Sequence, residues 1–96
     1  MRILLIAAGL IALPLAAHAF DIDAYCQQVG AAAGGSAQLE AACREQEQRA
    51  RNNISHMTVS PRVMDYCQGV GQSAGGSYEF TEQCLREEAK SGDKLD

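Results

Sequence analysis

Two stretches of the chain, YCQQVGAAAGGSAQLEAAC (25–43) and YCQGVGQSAGGSYEFTEQC (66–84), align without gaps and share 10 of 19 residues. They lie 41 residues apart and amount to an internal duplication, so one copy's fold constrains the other's. Each copy has a cysteine at both ends and a Gly-Gly-Ser triplet near its centre. Cys26 and Cys43 are equidistant from the Gly34–Gly35 pair, as are Cys67 and Cys84 from Gly75–Gly76. In an antiparallel helical hairpin, residues equidistant from the turn face each other. The symmetry therefore predicts two hairpins, each with its own opposed cysteine pair.

The flanking residues fit helices. Ile22, Tyr25, Cys26, Val29 and Ala33 recur at helical spacing, and Val63, Tyr66, Cys67, Val70 and Ala74 repeat the pattern, which predicts one apolar face per helix. Gly34, Gly35, Gly75 and Gly76 supply the left-handed residues that end helices. Ser36 and Ser77 follow as N-caps of the next helices. Leu39 with Cys43, and Phe80 with Cys84, are expected on the inner faces of those helices. The second helix is expected to run to about Met57, with Arg49 and Arg51 toward its C-terminal half, where positive charge complements the helix dipole. Ser60 then caps a third helix that has Pro61 in its first position. Gly92 ends the fourth.

Disulfide Cα atoms lie ~4.4–6.8 Å apart, closer than the ~8–10 Å between packed helix axes. Gly30 and Gly71, one turn after the first cysteine of each copy, would permit that approach. Mirror pairing sets Gly30 against Leu39 and Gly71 against Phe80. The predicted fold is all-α: two tandem disulfide-stapled helical hairpins, four helices in a pseudo-twofold repeat (20–57 and 60–92), forming a single domain with a disordered tail at 93–96.

The first residues read as a secretory signal peptide (1–19). Arg2 precedes the apolar run Ile3–Ala17, and AHA at 17–19 is a small-x-small cleavage site, so cleavage is expected between Ala19 and Phe20. The run is shorter than the ~20 residues of a spanning helix, and Pro14 interrupts it. The mature chain would have 77 residues, of which 30 are apolar, and only 16 of those are neither Ala nor Cys. So thin a core calls for covalent staples, and four cysteines in an exported chain provide them. Each bridge closes a loop of about 17 residues, stabilising by roughly 3 kcal/mol. The mature charge of −5 argues against nucleic acid and anionic membranes as partners.

Other chemistries find little support. Sixteen residues separate each cysteine pair, whereas structural zinc sites draw ligands from short Cys-x(2–4)-Cys units. No Cys-x-x-Cys exists for thiol redox work. After cleavage His56 is the sole histidine, at a helix end. Met57 and Met64 near it could serve Cu(I), but fit core filling better. Glu45/Glu47, Glu79/Glu82 and Glu87/Glu88 read as solvated faces. Glu47 and Glu88 recur four residues after the second cysteine of each copy, and mirror pairing sets each beside the start of the preceding helix, where the dipole favours a carboxylate. Asn53-Ile54-Ser55 matches a glycosylation acceptor, relevant only to a eukaryotic route. No cofactor or metal site is expected.

The doubled YC…V…GGS…C…E pattern behind a signal peptide resembles small exported proteins of proteobacteria. The resemblance spans most of the mature chain, rests on structural residues, and implies no activity. The expectation is a periplasmic or secreted, non-catalytic binding or accessory module, whose partner is another envelope protein or a second copy of itself. The alternative is a periplasmic stress chaperone that binds unfolded clients.

Overall fold

A computed structural model of the protein describes residues 19–91. The expected signal segment up to residue 18, the Gly92 helix stop and the 93–96 tail lie outside the described residues. The described residues form four helices: α1 (Ile22–Ala32), α2 (Ala37–Ser55), α3 (Pro61–Ser73) and α4 (Tyr78–Lys90). No strand occurs among the described residues.

Each helix begins on an oxygen that accepts from an otherwise unpaired amide. Asp21 accepts from Ala24 N, Ser36 from Leu39 N, Ser60 from Val63 N and Ser77 from Phe80 N. The two turns are built alike. Gly34 and Gly35 have φ of 85° and 82°, and Gly75 and Gly76 of 99° and 91°. Gly35 N donates to Gly30 O at 2.8 Å and Gly34 N to Ala31 O at 3.1 Å; Gly76 N to Gly71 O and Gly75 N to Gln72 O, both at 3.0 Å, repeat the pattern. These paired bonds are the Schellman closure of α1 and α3. Ser36 N and Ser77 N also donate to the Gly30 and Gly71 carbonyls, so each turn hands the chain directly to the next N-cap.

Disulfides Cys26–Cys43 and Cys67–Cys84 staple α1 to α2 and α3 to α4, with Cα atoms 5.6 and 5.4 Å apart. Gly30 and Gly71 sit where the hairpins are tightest. A Cβ on Gly71 would come within 2.7 Å of the Ser77 carbonyl oxygen and collide with Thr81; one on Gly30 would lie 2.5 Å from Glu40 Cγ. Glu40 and Thr81 therefore occupy the positions opposite the glycines, one residue beyond mirror pairing. This corrects the expectation for Leu39 and Phe80, which are 46% and 44% exposed. The Gly-Gly turn leads straight into a Ser cap, so the inner face of the following helix begins at the cap and its fourth successor. Tyr66, expected on the inner face, is also exposed.

Two small cores form, each around a bridge. Ile22, Cys26 and Cys43 pack with Tyr25, Val29 and Tyr78. Val63, Cys67 and Leu85 pack with Ile54, Met57, Val59, Met64 and Cys84. Tyr78 belongs to the second hairpin but completes the first core, while Ile54 and Met57 do the reverse.

Candidate functional site

The hairpins meet through α2 and α4. Glu47 reaches the start of α4, Arg51 lies over the Tyr78 ring at 5.9 Å, and Asn53 Nδ2 donates to Glu82 at 3.0 Å. These contacts advance in the same direction along both helices, so the second half of α2 runs parallel to the first half of α4.

Glu47 is the centre of the contact. Its carboxylate, 1% exposed, accepts from Tyr78 N at 2.6 Å and from Ser77 Oγ at 2.7 Å. Ser77 Oγ in turn accepts from Phe80 N at 3.2 Å. A buried carboxylate holding an amide and a hydroxyl at a helix start is satisfied by charge-assisted bonds and by the dipole. The expectation that Glu47 sits beside the start of the preceding helix is corrected: it caps the last helix. Asp21 already serves the start of α1, and α2 is long enough to present Glu47 to the neighbouring hairpin. Glu88, its counterpart, lines a cavity of about 360 Å³ with Thr58, Val59, Ser60, Val63 and Leu85, beside the start of α3. The contact is thus one-way: hairpin one caps hairpin two, whereas Ser36 meets no carboxylate among the described residues.

Phe20 adds a second contact. Its ring packs tilted against Tyr78, 5.0 Å between centroids and 51° between planes, and its backbone N–H donates to Tyr78 Oη at 3.0 Å. Gly71 and Gly76 leave room for that ring. α2 ends at Ser55 with no basic residue in its last turn. Arg51 lies just before that turn, with its charge over the face of the Tyr78 ring.

A groove of about 250 Å³ opens where hairpin one meets α4, lined by Tyr25, Val29, Leu39, Ala42, Gln46 and Glu79 among others. Cys43 and the buried Glu47 line it too, so apolar and polar groups alternate around it. Protein-family models, curated proteins and solved structures all yield no match to the chain. The reading of the surface therefore rests on its geometry.

All four cysteines are bonded to each other. Among the described residues no group of three or more His, Cys, Asp or Glu side chains is placed to hold a metal, and no helix is long and apolar enough to cross a membrane. His56 is exposed and its Nδ1 lies 2.9 Å from Asn52 O. Glu82 is held by Asn53 and Arg86. Two disulfides fit an oxidising compartment.

The inter-hairpin residues carried one signal that sequence reasoning passed over. The copies are nearly identical up to the Ser cap and diverge directly after it, with Tyr78, Thr81 and Glu82 where the first copy has Ala37, Glu40 and Ala41. Divergence inside a repeat marks the face on which the two copies must differ. Asp21, directly before the apolar periodicity, was also readable as an N-cap.

Proposed function

We propose that the chain is exported, loses its signal segment after Ala19, and acts in the periplasm or outside the cell as a non-catalytic binding module for another envelope protein. The observation that carries this is the groove lined by Tyr25, Val29, Leu39 and Ala42 beside the carboxylates of Glu47 and Glu79, set on a scaffold held by two disulfides. A scaffold rigid before binding loses little conformational entropy on association. Leu39 stays 46% exposed, so the fold does not use it fully and a partner can. The resemblance to small exported proteobacterial proteins is in keeping with this reading.

The test places a photo-crosslinking residue at Gln46, on the groove rim, in the oxidised protein within envelope extract. The expected result is one stoichiometric adduct that wild-type protein competes away and a Leu39→Asp variant does not. Adducts to many unrelated proteins would point to the chaperone alternative. The absence of any competed adduct would refute the reading.

A further inference from the structure

Within the chain, hairpin one docks on hairpin two through a small set of side chains. Glu47 caps the Ser77 start of α4, and the Tyr25 ring covers the turn at Gly75, 3.6 Å from where a Cβ would stand. Every one of these groups has a counterpart in the other copy of the repeat. Tyr66 and Glu88 stand in hairpin two where Tyr25 and Glu47 stand in hairpin one, and Gly34 and Ser36 stand where Gly75 and Ser77 do. Those counterparts make no such docking contact: Glu88 lines the cavity beside its own α3 start, and Ser36 caps only its own helix. Tyr66 is 54% exposed. Among the described residues nothing lies within 4 Å of a Cβ on Gly34. The first-turn amides of α2, beyond the one Ser36 Oγ takes, have no helical acceptor.

We propose that the protein associates head to tail with a second copy: Tyr66 of one molecule covers the Gly34 turn of the next, and Glu88 caps its Ser36 helix start. The one-way contact inside the chain is what makes this possible. A reciprocal contact would have closed on itself, whereas a one-way contact leaves an unused face at each end, as in stacked repeats. The intramolecular contact continues across the molecular boundary. Ala37 replaces Tyr78 in the receiving face, so the packing of Phe20 and Arg51 has no equivalent between molecules. The intermolecular contact is the smaller of the two and forms at high concentration. This inference is independent of the partner-binding reading, because its readout is the mass of the purified protein alone.

The test is sedimentation velocity of the oxidised protein from micromolar concentrations up to about 1 mM, a range that populates even millimolar complexes. Wild-type protein is expected to show a concentration-dependent rise in mass. Two variants each remove one end. Tyr66→Ala lacks the donor face. Ser36→Asp keeps an N-cap but sets a carboxylate against the incoming Glu88. Each alone should weaken association at least about tenfold, the effect of losing a central interface contact, with an unchanged melting temperature. Mixed together they should form a one-to-one complex, since each retains the end the other lacks. Monomeric wild-type protein at the highest concentration would overturn the proposal. So would association indifferent to Ser36→Asp, which would mean that Tyr66 faces pair with each other, or failure of the mixture to associate.

Discussion

Replacing Glu47 with alanine removes the acceptor for Tyr78 N and Ser77 Oγ at the contact between hairpins. Hydrogen bonds to a charged group contribute about 1.5–3 kcal/mol each. Ser77 is fully buried, so its hydroxyl hydrogen is left without a partner, while Tyr78 N, only part-buried, regains water. Counting both bonds near the lower end gives a loss of about 3 kcal/mol. Glu47→Gln keeps one carbonyl oxygen for Tyr78 N but loses the charge, and should cost about 1–2 kcal/mol. The control is Glu88→Ala, the same residue type at the same repeat position, which lies beside the start of α3 but holds no buried hydroxyl. Its cost should stay within about 1 kcal/mol, the dipole contribution alone. The assay is urea unfolding followed by far-UV circular dichroism, at low micromolar protein with both disulfides intact. The dependence on urea should keep its slope, so the midpoint alone moves. Equal midpoints for Glu47→Ala and Glu88→Ala would refute the assignment of Glu47 as the inter-hairpin cap.

Gly71→Ala should lower stability by about 1–3 kcal/mol through overpacking, because its Cβ comes within 2.7 Å of the Ser77 carbonyl oxygen, whereas Gly30→Ala meets the flexible Glu40 side chain and the Ser36 carbonyl oxygen only at 3.1 Å and should cost less; equal melting temperatures would count against this packing. Phe20→Ala should cost about 1–2 kcal/mol from lost ring contact with Tyr78, and Phe80→Ala, at an exposed site, under about 0.5 kcal/mol; thermal melts that reverse that order would contradict the docking of Phe20. Trypsin digestion without reductant should release Phe20–Arg44 and Val63–Arg86 as separate peptides, each lighter by one disulfide's pair of hydrogens, and peptides joined across the repeats would rule out the stapled hairpins. Removing the Cys67–Cys84 bridge by double serine substitution should cost about 3 kcal/mol, read from the same urea curves.

Much of this architecture was legible because the repeat doubles every local signal. Cysteines equidistant from a Gly-Gly pair define both a turn and a facing pair, and the bridges follow. Ser36, Ser60 and Ser77 announce helix starts by their chemistry. The facing partners of Gly30 and Gly71 were not legible to the residue, since mirror counting treats a turn as having no length of its own. The Schellman closure and the Ser cap shift the register by one, which moves Leu39 and Phe80 outward and Glu40 and Thr81 inward. The partner of Glu47 lay beyond the reach of periodicity, which describes one helix at a time and is silent on which hairpin lies alongside. Phe20, which lies before the first periodic residue, carries no periodic signal.

Both bridges join cysteines that are neighbours in the sequence, Cys26 to Cys43 and then Cys67 to Cys84. On the proposed export route, the chain crosses a membrane from its N-terminus and presents Cys26 and Cys43 to an oxidant before Cys67 has emerged. An enzyme that joins cysteines in order of arrival therefore makes the native bonds at the first attempt, and no later step has to exchange one sulfur partner for another.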